Sequence, residues 1–264
     1  MPLFSNPVCT TKDLTNIYNA AQLYEANLCN RAVYLFYPNE SGCIDFEKVV
    51  FQPQNFAHLV GCLPSYKYRV NASDFYKKAL QQHLSYQEDF VFSHQNQGRF
   101  YFEVKIEAVH KVFKLPKIPL QIGLYDSRAF VNLSADKIVG HSPACLAIEF
   151  GNDYFYPKSV INRDIRECVS PGSLFPVVAT ACSDATAEAP KLELTYRSKK
   201  LFPQHDQAVF DLADHLEVVE RDGAEQVNQQ REGSTSSQDL KIDPSQYTPS
   251  DNDIPHLSNP DLSL

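Results

Sequence analysis

Tryptophan is absent from this 264-residue chain, and glycine is scarce at nine residues. The longest apolar runs, such as Ala144–Ile148 and Pro176–Ala179, fall far short of the roughly 20 residues a membrane helix needs. The first ten residues hold neither a basic n-region nor an apolar h-region, so no signal peptide is expected. Seven cysteines, at positions 9, 29, 43, 62, 145, 168 and 182, form no Cys-x-x-Cys pair. None flanks a histidine pair at zinc spacing either. An odd set of scattered thiols reads as reduced cysteine in a cytoplasmic protein. No GxGxxG or Walker loop, no HExxH and no GxSxG occurs, which argues against dinucleotide, P-loop, zincin and serine-hydrolase chemistry. The body also lacks an acidic metal cage, so metal-assisted nuclease chemistry lacks its ligands in the sequence. No cofactor and no metal are expected.

Against these absences, apolar residues make up 43% and aromatics 12%, with 14 Tyr and 17 Phe. That is ample for one core. The net charge of −8 is unevenly spread. From Phe202 onward there are 13 acidic residues and three basic ones, which leaves 19 acids against 21 bases in 1–201. A mildly basic body thus carries an acidic tail. From Asp222 the chain is rich in Gln, Ser, Asp, Asn and Pro, a composition that predicts disorder. Just before it, Val209, Leu212, Ala213, Leu216 and Val219 recur at helical spacing, so Asp206–Glu220 should form an amphipathic helix. The expected organisation is a body over 1–201, a helical linker over 202–221 and a disordered tail over 222–264. The tail reads as a solubilising extension, or as a segment that covers a basic groove in cis or binds a partner.

Along the body, Thr10 and Asp13 stand three apart before Leu14, Ile17, Tyr18, Ala21, Tyr24 and Leu28, which predicts a capped helix over 11–29. Arg31–Tyr37 and Ile44–Phe51 flank a Pro38–Gly42 turn and read as a hairpin. Pro53 can open a short helix that Gly61 ends, and Asn71 can cap another running through Leu84. Residues 99–114 fit both periods. Helix is preferred because the pattern lasts over three turns and Pro116 stops it. Leu120–Leu124 with Ala129–Leu133, and Ala144–Phe150 with Tyr154–Ile161, are two further predicted hairpins. Lys191–Tyr196 reads as a final strand, and 170–190 as a long connection of unassigned structure. N-terminal helices followed by an antiparallel sheet make the fold class α+β.

Two local clusters could carry chemistry. In Asn55–Gly61, His58 lies about 200° around a helical wheel from Phe56 at ~100° per residue, so it should point away from the buried face. It reads as a surface or capping residue, or as a general acid or base. In Tyr154–Ser159, strand alternation puts Tyr154, Tyr156 and Lys158 on one face and Phe155, Pro157 and Ser159 on the other. Pro157 cannot donate to a ladder, so the strand should be an edge or end here. Two tyrosines and a lysine can stack a base and hold a phosphate. They can equally form an aromatic sheet face with a snorkelling lysine. Arg163 and Arg166 follow.

Taken in order, the hairpin, then Phe56-Ala57-His58-Leu59-Val60-Gly61, Phe75-Tyr76 and, after a helical spacer, Tyr154-Phe155-Tyr156-Pro157-Lys158-Ser159 form a pattern. It resembles the phage-type barnase–EndoU–colicin–RelE-like (BECR) nuclease domains of phage and mobile-element proteins. The resemblance spans about 10–200, with Val60 where the family pattern has a threonine. It implies an α+β fold with an RNA cleft, metal-independent RNA cleavage and, as partners, RNA and a cognate inhibitor or the acidic tail. His58 would then be base or acid. Lys158 would stabilise phosphate charge, Ser159 would donate to a phosphate oxygen, and Tyr154, Tyr156, Arg163 and Arg166 would bind substrate. The alternative is a catalytically inactive RNA- or protein-binding module on the same scaffold, favoured by Val60 and by the lack of a long basic stripe.

Overall fold

A computed structural model describes residues 9–93, 98–129, 133–151, 153–187, 191–200 and 205–216. Helix α1 (Thr11–Asn27) starts at a complete capping box. The Thr10 hydroxyl accepts from the Asp13 amide at 3.2 Å, and the Asp13 carboxylate accepts from the Thr10 amide at 2.8 Å. Strands β1 (Arg31–Pro38) and β2 (Ile44–Phe51) form the expected hairpin. A 3-10 turn at Pro53–Asn55 runs into α2 (Phe56–Leu59), after which Gly61 turns the chain at φ +78°. Then come β3 (Cys62–Pro64), α3 (Ala72–Leu80), β4 (Phe90–Phe92) and α4 (Gly98–Val112). Asn71 caps α3 by accepting from the Asp74 amide at 2.8 Å. Helix α3 stops four residues before Leu84, which is nonetheless buried.

The second half is mostly strand: β5 (Gln121–Leu124), β6 (Lys137–His141), β7 (Ala144–Phe150), β8 (Phe155–Ile161), β9 (Phe175–Pro176), β10 (Ala179–Asp184) and β11 (Glu193–Arg197). A last helix, α5, covers 206–216; the rest of the predicted 206–220 helix and the whole acidic tail lie outside the described residues. β3 and β4 make a two-stranded ribbon, and the other strands one sheet in the order β11-β10-β1-β2-β8-β7-β6-β5-β9. Among the described strands, only β2 and β8 run parallel. Residues 175–184 pair with β5 at their start (Phe175 opposite Ile122) and with β1 beyond it (Ala179 opposite Phe36), so the sheet curls back on itself.

Its inner face, including Val33, Leu35, Val49, Phe51, Leu146 and Phe155, shares one apolar core with α1 to α4. The Tyr24 ring is the hub, 5.6 Å from Phe56, 5.6 Å from Tyr76 and 5.0 Å from Phe113. On the outer face, Val209 and Leu216 of α5 bury against Tyr34, Phe36 and Ala181. A smaller cluster joins Ile138, Cys145, Ala147 and Ile161 to Ile165 and Cys168. All seven cysteines are free thiols.

Two expectations change. β5 pairs with β6 and β9, and most of its expected partner Ala129–Leu133 lies outside the described residues. Residues 170–190, unassigned from sequence, supply β9 and β10, the strands that close the sheet. β8 is internal rather than an edge. Pro157 is tolerated because β2 and β8 are registered only at Val49 and Phe155, and because the β7 register shifts between Ala147 and Ile148. The shift leaves Lys158 as the extra residue of a β-bulge, where the ladder is already broken.

Candidate active site

His58 is exposed on α2, whose Phe56, Ala57 and Leu59 are buried. α2 is short. It packs on α3 and on β8, so the element bearing His58 and the strand bearing Lys158 are direct neighbours. The His58 carbonyl accepts a 3.1 Å hydrogen bond from Lys105 Nζ of α4. The Lys105 stem crosses Gly61, where an added Cβ would lie 3.3 Å from Lys105 Cδ and 3.4 Å from the Phe102 backbone. Burial disfavours the ammonium and pulls the Lys105 pKa down to about 8. No motif pointed to Lys105. Its meeting with His58 is made across 47 residues by helix packing, a contact with no local signature.

The late-strand cluster is organised by Glu149 of β7, which sequence reading also passed over. Lys158 Nζ lies 2.6 Å from Glu149 Oε2, the Tyr156 hydroxyl donates to the same oxygen, and Ser134 Oγ donates to Oε1 at 2.7 Å. Hydrogen bonds from Lys158 first, then Tyr156 and Ser134, hold the Glu149 pKa down to about 2. The same contact raises the Lys158 and Tyr156 pKa values. Alternation puts Lys158 on the side of the sheet where Glu149 and Tyr156 face each other, and the bulge turns Ser159, opposite Ala147, to that same side. Lys158 Nζ also sits 5.8 Å from the Tyr156 ring centroid.

The other sequence-chosen residues are placed differently. Ser159 is buried at 6% exposure, its hydroxyl 3.5 Å from the Val160 carbonyl. Tyr154 precedes β8 and is partly exposed. Beyond the far end of β8, Arg163 pairs with Glu167 at 3.5 Å, and Arg166 binds Asp164 through two nitrogens. That pairing holds the Asp164 carboxyl well below the usual carboxylate range. Tyr156 and Lys158 are therefore drawn together on the sheet face that carries Glu149 and Ala147, whereas α2 packs among Ile148, Phe155 and Val160 on the other face, and the two arginines stand apart in their own ion pairs. Another titratable group closes the inner face: Tyr37 donates to Glu47 at 2.8 Å, and Lys137 bonds both. Among the described residues, no three His, Cys, Asp or Glu side chains gather as a metal site requires. None of the described helices is long and apolar enough to cross a membrane.

The family model for phage-Barnase-EndoU-ColicinE5/D-RelE like nuclease 4 matches residues 16–168. That is more than half of the chain. The chain belongs to this nuclease family. The matched segment runs from α1 to the turn after β8 and contains His58, Lys105, Glu149, Tyr156 and Lys158. Membership agrees with the α+β architecture and with the family expected from the ordered motifs. No curated protein and no solved structure matches the chain.

Proposed function

We propose that this nuclease is a ribonuclease that cleaves by transfer to the neighbouring ribose 2′-hydroxyl, without a metal. The observation that supports it most is the exposed His58 with Lys105 Nζ 3.1 Å from its carbonyl, inside the family-matched segment. In this reading His58 takes the 2′-hydroxyl proton. The freed oxygen attacks phosphorus, the bond to the 5′-oxygen breaks, and that oxygen receives a proton from Lys105, whose pKa of about 8 suits an acid near neutrality. Lys158, on the opposite face of the sheet, would hold a phosphate away from the one cleaved, exchanging Glu149 for a phosphate oxygen. Tyr156 and Tyr154 offer base-stacking surfaces, Arg163 and Arg166 beyond the end of β8 would be outer phosphate contacts, and the buried Ser159 takes no part. A cytoplasmic toxin or defence effector of a mobile element, restrained by a cognate inhibitor or by its own acidic tail, is the setting such an activity fits.

A second reading is an inactive RNA- or protein-binding module. Glu149 favours it, because it already neutralises Lys158, as does buried Val60, which places an aliphatic group beside His58. Cleavage of labelled RNA in EDTA by the full chain and by His58→Ala separates the two. The nuclease reading expects wild-type cleavage to fall about 10²- to 10⁴-fold in the variant. No cleavage by folded wild type, or equal cleavage by both, overturns it.

A further inference from the structure

Between β3 and α3 lies a 3-10 turn, Tyr66–Tyr68, with no part in the chemistry above. Tyr66 is 96% exposed and Tyr68 51%, and Lys67 and Arg69 are exposed with them. Two aromatic rings and two cations thus alternate along four residues. The turn is anchored at its base. The buried Ser65 donates its amide to Asp89 at 2.9 Å and its hydroxyl to the Gln87 carbonyl at 3.2 Å, and the Val70 amide closes onto the Ser65 carbonyl at 3.1 Å. Arg69 sits at φ +55°, a left-handed conformation that glycine would adopt without cost. A long cation kept at such a position points to a use for its side chain. Lys67 Nζ lies 5.1 Å from the Tyr68 ring centroid, whereas the Tyr66 side chain has no ring or polar partner among the described residues. Beside the turn, Leu63 and Val91 face each other across β3 and β4 and are both exposed, which extends an apolar floor.

β3 begins directly after Gly61, so the turn and His58 are joined by one three-residue strand of roughly 10 Å. We propose that Tyr66–Arg69 is a single-stranded RNA subsite flanking the reaction centre: Tyr66 and Tyr68 stack on bases while Lys67 and Arg69 hold the phosphates between them. The proposal rests on the ribonuclease reading and names where its substrate extends. Every base offers a π-face and the phosphates repeat along the strand, so alternating rings and cations match that ligand. A lipid surface would favour apolar tips, and here the tips are hydroxyls and charges.

The test is binding of a short, uncleavable 2′-O-methylated RNA strand to the full chain, followed by fluorescence anisotropy, with cleavage of ordinary RNA measured in parallel. Tyr66→Ala should weaken binding roughly 5- to 100-fold, with Tyr66→Phe close to wild type. Lys67→Gln with Arg69→Asn should lower the slope of log affinity against log salt by about 1.4. Asn is chosen because it tolerates left-handed backbone, so thermal unfolding should not move. Unchanged binding by all three variants of a cleaving wild type overturns the subsite and leaves the nuclease reading standing. Failure of wild type to bind or cleave RNA overturns both. Loss of binding to anionic vesicles with RNA binding intact overturns the subsite in favour of a membrane surface.

Discussion

Glu149 decides what Lys158 is free to do. Its folded pKa, depressed to about 2, stabilises the fold above the ordinary Glu value near 4.3, and the contribution is lost as pH falls toward about 2. Urea midpoints of wild type and Glu149→Gln should therefore differ at pH 6 and converge near pH 2. The same substitution leaves Lys158 uncompensated. RNA affinity should rise about 3- to 10-fold at low salt if that lysine meets phosphate. Lys105 runs the other way. Its folded pKa of about 8 lies below the unfolded value near 10.4, so the unfolded chain holds more protons in that window and stability climbs with pH across it. Lys105→Met should flatten the climb, measured as urea midpoint between pH 7.5 and 10.5. His58 was legible as an outward-facing residue because a helical wheel needs only local spacing. Glu149 and Lys105 were not, since their roles come from cross-strand pairing and from a helix crossing.

At the scale of elements, local chemistry was legible wherever the signal is local. The Thr10 capping box, the Pro53 start, the Gly61 stop and the Asn71 cap all form as their residue types dictate. Alternation also assigned the faces of β8 as far as Lys158, with Phe155 and Pro157 on one side and Tyr156 and Lys158 on the other; the bulge then turns Ser159, buried opposite Ala147, away from the face that alternation gave it. Pairing was another matter. Nothing local says that β2 runs parallel to β8, or that residues 175–184 close the sheet, because both depend on contacts remote in sequence. Gly61 tests the joint between α2 and β3. With φ at +78° and the Lys105 stem across it, Gly61→Ala should cost about 1–2 kcal/mol in chemical denaturation. It should also reduce cleavage by pushing Lys105 off the His58 carbonyl. Thr10→Ala, at the far end of α1, should cost about 1 kcal/mol and leave cleavage unchanged.

For the whole molecule, the body suggested by charge ends near Leu201, yet α5 lies beyond it and buries Val209 and Leu216 on the outer sheet face over Tyr34 and Phe36. A chain ending at 201 should lose about 3–5 kcal/mol in urea denaturation, from two apolar side chains and the rings they cover. One ending at 225 should match the full chain. The distinction matters for the acidic tail, because activity lost at 201 would report unfolding of the sheet face rather than regulation. Residues 226–264 hold six acids and two bases, so their removal strips negative charge without touching α5. If the tail restrains RNA binding through that charge, the chain ending at 225 should bind more tightly than the full chain at low salt, and the gain should shrink as added salt shortens the Debye length below about 8 Å. A gain that survives high salt would make the tail an occluding segment instead. No gain at either salt would leave it a solubilising extension.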